Sequence, residues 1–300
     1  MIEEIGNVKL NLTYYTGKDQ YSDGDIEDEL LQIVQAHNDF DEVISKDTRW
    51  PILYHLSKYR ENIIEWYPFE QGSSVLEIGA GCGAITGALS KKVDHVTCVE
   101  LSKKRSLINA YRHQEFSNIE ILVGNLNEMK FAQKYDYITL IGVLEYAPSF
   151  IESNKPFHTF LERIRGLLKP NGKLFIAIEN KFGLKYWAGA REDHTGKFFD
   201  SLEGYIGNKN VKTFSKHEIE DVLAQCGFSD LVFYYPFPDY KLPFQIFSEY
   251  SLPQIGELGQ FIHHFDNDRM QVFNEYLVAN SIISSHQIEF FANSFLVVCE

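Results

Sequence analysis

The fold is decided by the stretch Val75-Leu76-Glu77-Ile78-Gly79-Ala80-Gly81-Cys82-Gly83-Ala84. An apolar run of strand type leads directly into three alternating glycines, and a helix-forming segment follows. Glycine at such a turn permits positive φ angles and close approach of a ligand, while the N–H groups at the start of the next helix face that ligand. The stretch therefore predicts a strand, a loop that binds a nucleoside cofactor, and a helix.

Strand and helix patterns alternate from this loop toward the C-terminus. The predicted strands are residues 74–78, 95–99, 119–123, 137–141, 173–179, 231–235 and 293–299, and the predicted helices are 84–93, 103–116, 157–168 and one that begins at the capping box of residues 215–218. Such alternation builds parallel sheets with right-handed crossovers. The sequence predicts an α/β fold with a doubly wound, Rossmann-like, mostly parallel sheet.

The domain boundaries follow from where the alternation holds. Residues 1–70 are predicted to form a mostly helical N-terminal cap, in which a helix over 50–67 ends at Pro68. Residues 71–300 are predicted to form the cofactor-binding core. Two long stretches, 181–212 and 236–288, do not fit the alternation, and insertions of that length usually serve as lids or substrate walls. We expect both to lie on the substrate side.

Composition excludes several classes of partner. The chain has 300 residues and a formal net charge of −14, and it lacks a dense Lys/Arg run, so a nucleic-acid partner is disfavoured. No stretch has the length of apolar residues that a membrane helix needs, and the acidic N-terminus is unlike a secretory signal. The four cysteines are scattered singly, which fits a reducing cytoplasm.

An acidic residue stands at the end of the second predicted strand. Glu100 lies 21 residues after Gly79, close to the spacing of roughly 20 expected for a carboxylate that binds ribose hydroxyls. The pattern Gly79-x-Gly81-x-x-Ala84 also satisfies the dinucleotide fingerprint. At this point an NAD-dependent oxidoreductase therefore stays open beside other nucleoside-binding enzymes.

Glu77 separates these alternatives. Two places before the first glycine, it completes a Glu-x-Gly-x-Gly-x-Gly pattern that resembles the first motif of class I S-adenosylmethionine-dependent methyltransferases. In that family the acid helps to position the methionine portion of the cofactor, and Glu100 matches the ribose-binding acid. The resemblance implies that S-adenosyl-L-methionine (SAM) is the cofactor and that the last strand runs antiparallel between its neighbours.

Three later segments continue the resemblance in order. Asn125, after the third strand, stands where the family usually has an acid beside the adenine. Residues 136–146 resemble the fourth motif, although Tyr146 replaces a frequent histidine. Residues 167–174 resemble the turn before the fifth strand. Arg60 is expected to pair with the cofactor carboxylate, with an ordinary salt bridge as the alternative. The cofactor-binding candidates are Arg60, Glu77, Gly79, Ala80, Gly81, Gly83, Glu100, Leu101, Asn125, Leu126, Gly142 and Val143.

A narrower resemblance concerns the acceptor. Residues 56–62, 179–186, 192–196 and 235–240 look like segments of bacterial methyltransferases that accompany glycosyltransferases of cell-surface polysaccharides. It implies a role in polysaccharide biosynthesis and a saccharide, or another hydroxylated small molecule, as the acceptor. Two further possibilities stay open: that the chain forms a homodimer, and that it is a non-catalytic, SAM-binding regulatory partner.

The catalytic candidates lie after the fourth and fifth strands. In Arg191-Glu192-Asp193-His194 we expect His194 to act as a base and Asp193 to orient it, with Glu145 as a further candidate; a solvated loop is the alternative. His263 and His264 stand near two aspartates, but adjacent histidines need favourable geometry and a third ligand. The sequence therefore predicts no metal site.

Overall fold

The computed structural model describes residues 1–19, 21–259 and 269–300. The chain divides into two compact units: unit 1 comprises Met1–Leu140 with Leu167–Lys173, and unit 2 comprises Ile141–Gly166 with Leu174–Glu300. This division differs from the predicted cap of residues 1–70 and core of 71–300, because the N-terminal residues pair with strands of the predicted core.

Unit 1 contains the strands that carry the glycine loop. They are β1 (Ile2–Ile5), β2 (Val8–Tyr14), β3 (Ser74–Ile78), β4 (His95–Glu100), β5 (Ile119–Gly124) and β6 (Tyr135–Ile141). Their order is β1-β2-β5-β4-β3-β6, and all neighbours are parallel except the antiparallel pair β1 and β2. The carboxyl ends of β3, β4 and β5 therefore lie at one edge, which is where an open parallel sheet binds its ligand.

The first fourteen residues are strands, where the sequence was expected to be mostly helical. Val8 and Leu10 are fully buried and alternate with the exposed Lys9, and Leu10 is paired with Ile121 of β5. This period of two is a strand pattern. The helical expectation for the N-terminal piece holds only from residue 26 onward.

The helices of unit 1 are shorter than the patterns predicted. They are α1 (Ile26–Ala36), α2 (Asp41–Lys46), α3 (Trp50–Leu56), α4 (Asn62–Glu65), α5 (Thr86–Ser90) and α6 (Lys103–Arg112). The single helix expected over residues 50–67 is interrupted at Ser57, whose backbone is extended and whose side chain accepts a hydrogen bond from the Tyr59 N–H. A serine that caps a new turn in this way competes with continuation of the helix.

Helices α1, α3 and α6 share an apolar cluster in unit 1. Leu30 and Val34 of α1, Ile52 and Leu56 of α3, and Ile108 of α6 are almost completely buried together. Their i, i+4 spacing places each pair on one helix face. The helical part of the N-terminal region is thereby packed onto α6, the helix that follows β4.

Unit 2 is built on antiparallel strands. They are β7 (Leu168–Glu179, of which residues 174–179 belong to this unit), β8 (Val232–Phe237), β9 (Gln245–Ser248) and β10 (Ser294–Cys299), in the order β7-β10-β8-β9. The last strand, β10, runs antiparallel to both β7 and β8, as the sequence predicted. With ten strands among the described residues and both kinds of pairing, the arrangement is mixed, whereas the prediction was mostly parallel.

The helices of unit 2 include the predicted capped helix. They are α7 (Ala147–Phe150), α8 (Pro156–Leu167), α9 (Leu184–Trp187), α10 (Lys216–Gln225), α11 (Glu275–Ser284) and α12 (Ile288–Phe291). At the start of α10, Ser215 and Glu218 form the reciprocal capping box that the sequence indicated. In the described part of the chain, no helix combines the length and the apolar composition that crossing a bilayer requires.

Candidate functional site

The glycine loop of unit 1 adopts the backbone conformation that its sequence predicted. Gly79, Gly81 and Gly83 have φ angles of 71°, 53° and 77°. The loop is held to the neighbouring strand because the N–H groups of Gly79 and Ala80 donate to the Val99 carbonyl, at 2.9 and 3.2 Å. The loop directly continues β3, so its position is fixed by the sheet.

The space around Gly81 differs from that around Gly83. A Cβ atom at Gly83 would lie 2.3 Å from Asn109 Oδ1, so packing alone requires glycine there. A Cβ atom at Gly81 would meet only the Gly79 carbonyl oxygen, at 4.0 Å. The backbone at Gly81 is therefore open to an approaching ligand, and this loop fits a nucleoside cofactor.

Glu100 supports the loop from the end of β4. Its carboxylate accepts hydrogen bonds from the N–H groups of Gly81 and Ser102, one on each oxygen, both at 2.9 Å. Burial raises the pKa of Glu100, while Arg105 and these backbone donors oppose the shift. A carboxylate offers about four acceptor positions, so both oxygens keep capacity for ligand hydroxyls. Glu100 thus holds the glycine loop at Gly81, and its contact with a ribose stays a prediction.

Glu77 is directed into the interior of unit 1. Its Oε2 atom accepts a hydrogen bond from Thr86 Oγ1 at 2.6 Å and one from Cys98 Sγ at 3.3 Å. Burial raises the pKa of Glu77 to about 7, against the opposing effect of the two hydrogen bonds. Its described contacts connect β3, β4 and α5, and a role at the cofactor stays a prediction.

The remaining cofactor candidates occupy different parts of the chain. Arg60 is buried, with its guanidinium 4.1 Å from the Tyr54 ring centroid and its Nη2 donating to Tyr54 Oη. The Asn125 side chain accepts from the Asn127 N–H at 3.0 Å and caps a short 3-10 turn. Leu126 is buried in that turn and Leu101 is half-buried after Glu100, while Gly142 and Val143 lie half-buried at the start of unit 2.

Two of the three catalytic candidates, Glu145 and His194, lie with Glu179 and Glu192 in a buried group that we call the carboxylate–histidine cluster. Glu192 binds His194 twice: Oε2 accepts the backbone N–H at 2.7 Å, and Oε1 lies 2.8 Å from Nδ1. The hydroxyl of Tyr205 also donates to Glu192, at 3.0 Å. Glu192, rather than the predicted Asp193, therefore orients the imidazole.

The other imidazole nitrogen faces two carboxylates. His194 Nε2 lies 3.5 Å from Glu145 Oε1 and 3.8 Å from Glu179 Oε2. Burial lowers the pKa of His194, but the carboxylates around it dominate and raise the pKa well above its usual value. Burial raises the pKa of Glu145, and the charge of Glu179 adds to that shift. These groups can hold a proton or a cation in common.

Asp193 belongs to an adjoining ion-pair network, which Lys241 connects to Glu179 of the cluster. Its carboxylate contacts the ammonium groups of Lys185 and Lys241, each at 2.9 Å, and accepts a hydrogen bond from Tyr186 Oη at 2.5 Å. Lys185 also binds Asp239 at 2.7 Å. Despite burial, the two lysines hold the pKa of Asp193 well below its usual range. Its contacts indicate a role in holding the loop.

One group of described residues has the spacing of metal ligands, although the sequence predicted no metal site. Glu145, Glu179 and His194 each offer one ligand atom, and these atoms lie within 4.8 Å of one another. The pair His263 and His264, considered in the sequence, lies outside the described residues. Sequence reasoning missed Glu192 as the orienting acid, although its two-residue spacing from His194 was a usable signal.

Comparison with known proteins agrees with the geometry of the loop. Residues 76–174 match a family described as a methyltransferase domain. Ubiquinone biosynthesis O-methyltransferase of Coxiella burnetii is 31% identical over 133 residues, which are 43% of this chain and 53% of that protein. (S)-Coclaurine N-methyltransferase of Thalictrum flavum subsp. glaucum is 28% identical over 111 residues, 36% of this chain and 29% of that protein. The chain thus spans about half or less of these relatives' length.

A solved structure matches over most of the chain. One chain of the complex that contains the Haloferax volcanii Trm112 methyltransferase activator aligns with a TM-score of 0.50 and 17% identity, covering 87% of this chain and 95% of that one. This likeness supports the α/β Rossmann-like fold. Residues 76–174, which match the methyltransferase domain, include the glycine loop, Glu100 and Asn125.

Proposed function

We propose that this protein is a SAM-dependent methyltransferase that methylates a hydroxyl group of a saccharide or of another hydroxylated small molecule. The observation that carries the proposal is that the methyltransferase-domain match over residues 76–174 covers both the open glycine loop and Glu100. When bound, the cofactor supplies an electrophilic methyl group. The residues of the chain must bind the cofactor, position the acceptor and manage its proton.

Cofactor binding is assigned to unit 1. The open backbone at Gly81 would lie against the cofactor, and the Glu100 carboxylate would accept the two ribose hydroxyls while it keeps its bonds to Gly81 and Ser102. Asn125 would contribute an amide at the adenine. Charge-assisted bonds of the kind that Glu100 can form are the stronger hydrogen bonds in proteins.

Acceptor activation is assigned to the carboxylate–histidine cluster of unit 2. A hydroxyl is a weak nucleophile until its proton is removed or its oxygen is polarised, whereas an amine or thiol needs less help. A buried group of three carboxylates and one imidazole is suited to that task. This cluster therefore favours an oxygen acceptor in the proposal.

A saccharide is the preferred class because four segments resemble methyltransferases that accompany polysaccharide glycosyltransferases. A cytoplasmic location is part of the same proposal, and it is in keeping with four free, buried cysteines. The homodimer that the sequence leaves open is tested by light scattering on the purified chain.

Two experiments test the proposal. Calorimetry with S-adenosylhomocysteine and, in parallel, NAD should give binding only with the former; preferential binding of NAD would contradict the cofactor assignment. Transfer of labelled methyl from SAM is then measured on nucleotide sugars, free glycosides and amines matched to them in size. We expect label on hydroxylated acceptors, and label confined to amines would overturn the acceptor class.

A further inference from the structure

The spacing within the carboxylate–histidine cluster differs from that of hydrogen-bond partners. His194 Nε2 is 3.5 Å from Glu145 Oε1 and 3.8 Å from Glu179 Oε2. An N–H···O hydrogen bond prefers about 2.7–3.2 Å. Ligand atoms that share an ion at about 2.1 Å lie about 3.0–3.5 Å apart. The distances from the imidazole nitrogen to the two carboxylates are closer to this ligand spacing than to that of hydrogen bonds, and all three ligand atoms lie within 4.8 Å of one another.

Two carboxylate oxygens in this cluster are buried without a hydrogen bond. Glu145 Oε2 and Glu179 Oε2 have no hydrogen-bond partner among the residues that the structure describes, and both residues are at least 99% buried, at 1% and 0% exposure. A buried acceptor without a partner costs free energy. Glu179 Oε2 is the atom that faces His194 Nε2, so it is directed toward the shared centre.

The charges of the surroundings are also unbalanced. Within the described residues in contact there, five carboxylates (Glu145, Glu179, Glu192, Asp193 and Asp239) face the ammonium groups of Lys185 and Lys241 and the imidazole of His194. Buried charges are normally paired or coordinate a metal. The excess of negative charge favours a bound divalent cation.

Glu192 provides the support that a metal-binding histidine usually has. A ligating histidine almost always donates its second ring N–H to a carboxylate or carbonyl, which fixes the tautomer and the ring orientation. Glu192 Oε1 lies 2.8 Å from Nδ1, so Nε2 is the nitrogen directed at Glu145 and Glu179. The Tyr146 ring packs edge-on against the imidazole, with the ring centroids 5.2 Å apart.

We propose that Glu145, Glu179 and His194 bind one divalent transition-metal ion, with Glu192 as the positioning residue. Lys241 contacts Glu179 through Oε1, which leaves Oε2 for the ion. Two carboxylate oxygens and one imidazole nitrogen suit a divalent first-row transition-metal ion, and Mn²⁺, which favours carboxylate ligands, is the probe. Three protein ligands leave positions of a six-coordinate ion for acceptor oxygens. The proposal that the site binds a metal does not depend on methyl transfer. The proposal that the ion contacts acceptor oxygens does rest on the proposed function.

The test uses the full chain, freed of metal with a chelator. Titration with MnCl₂, followed by the electron paramagnetic resonance signal of free Mn²⁺, should show one site per chain. Pulsed electron paramagnetic resonance of the bound Mn²⁺ should show coupling to an imidazole nitrogen. This measurement is made on the parent chain and requires no variant. Absence of a saturable site, or of nitrogen coupling in the bound ion, overturns the proposal.

Variants localise the site. Glu179→Gln and His194→Gln should each weaken Mn²⁺ binding at least tenfold, and the matched control His217→Gln, whose side chain is 83% exposed, should leave it unchanged. Circular dichroism checks that each variant is folded. If either variant does not fold, the nitrogen coupling measured on the parent decides whether an imidazole binds the ion. Equal Mn²⁺ affinity of the folded His194→Gln variant and the parent contradicts the site. Mn²⁺ binding without any affinity for S-adenosylhomocysteine would leave the metal site standing and overturn the proposed function.

Discussion

Glu192 and His194 are bound to each other at two points, through the backbone N–H of His194 at 2.7 Å and through its Nδ1 atom at 2.8 Å. One carboxylate therefore fixes both the main chain and the ring of the histidine. Hydrogen bonds from His194 and from the Thr195 N–H overcome the effect of burial and hold the pKa of Glu192 below its usual value. The carboxylate is thus kept ionised as a hydrogen-bond acceptor.

The first prediction concerns this orientation. Glu192→Gln removes the charge that fixes the imidazole, so we expect Mn²⁺ affinity and methyl-transfer activity to fall by about 10–100-fold, as for other residues that support metal ligands. Affinity for S-adenosylhomocysteine should stay at the parental value. Titration calorimetry with each ligand separates the two effects. Glu203→Gln, an exposed acid in the same insertion, is the control; parental Mn²⁺ affinity in Glu192→Gln would contradict the assigned role.

The second prediction concerns the open position in the glycine loop. Gly81→Val should abolish binding of S-adenosylhomocysteine, because the side chain would occupy the space through which a ligand approaches the backbone. Gly72→Val is a matched control, since Gly72 also has a positive φ, +79°, and open surroundings. Both variants carry similar backbone strain, so their melting temperatures should fall alike. Binding that survives in Gly81→Val would exclude the loop from the cofactor site.

Asp193 gives the third prediction, which separates a structural from a catalytic role. Breaking a buried ion pair by removal of one partner costs about 3–5 kcal/mol, and Asp193→Asn leaves Lys185 and Lys241 with one carboxylate fewer. We expect the free energy of unfolding in urea to fall by about that amount. Asp221→Asn, at a side chain that is 55% exposed, should change it by less than about 0.5 kcal/mol. Full stability with lost activity would instead favour a catalytic Asp193.

The local parts of the fold were predictable from the sequence. The prediction of β3 was confirmed to the residue, and β4, β5 and β10 were predicted to within one residue at each end. Each of these segments is rich in apolar residues, and β3 leads directly into glycines, whose conformational freedom is expressed locally. Glu100 was identified for the same reason, because its place depends only on where the neighbouring strand ends.

Features that depend on distant partners were not predictable. The alternation of Val8, Lys9 and Leu10 indicates the strand β2 locally, but its partner β5 lies about a hundred positions later in the chain, where Leu10 pairs with Ile121. Asp193 contacts Lys241, which lies 48 positions along the chain. His194 was predicted to act as a base and that role stays a prediction, but its contact with Glu179 depends on how the loop returns to the end of β7. No local pattern encodes such contacts.

The fourth prediction is a pH dependence of stability. Glu77 ordinarily titrates near 4.5, and burial raises the pKa of its folded-state carboxyl to about 7. Because the folded chain holds this proton more tightly than the unfolded chain, the stabilisation is complete below the unfolded pKa and is lost as pH rises through about 7. Gln cannot ionise. The stability of the parent relative to Glu77→Gln should therefore fall by about 3 kcal/mol between pH 4 and pH 8.

Urea denaturation at a series of pH values measures that difference. Glu128→Gln, at an exposed acid of unit 1, serves as the control for the substitution itself. A parent-to-variant difference that is constant for Glu77→Gln would mean that the buried carboxyl titrates normally.

The last prediction concerns Glu100. Its carboxylate binds the N–H groups of Gly81 and Ser102, and we expect it to bind the ribose hydroxyls as well. Hydrogen bonds to charged groups contribute about 1.5–3 kcal/mol each, so Glu100→Ala should weaken S-adenosylhomocysteine binding by about tenfold or more, at roughly 1.4 kcal/mol per decade. Glu100→Gln keeps one good acceptor and should fall between the parent and Ala. Glu115→Ala, at an exposed acid of the same unit, should bind as the parent does.

Because the Glu100 carboxylate also holds the Gly81 N–H, Glu100→Ala should lower the melting temperature slightly while the far-UV spectrum stays native. Calorimetry with S-adenosylhomocysteine checks the order of affinities, and parental affinity in both Glu100 variants would show that this carboxylate does not bind the ribose.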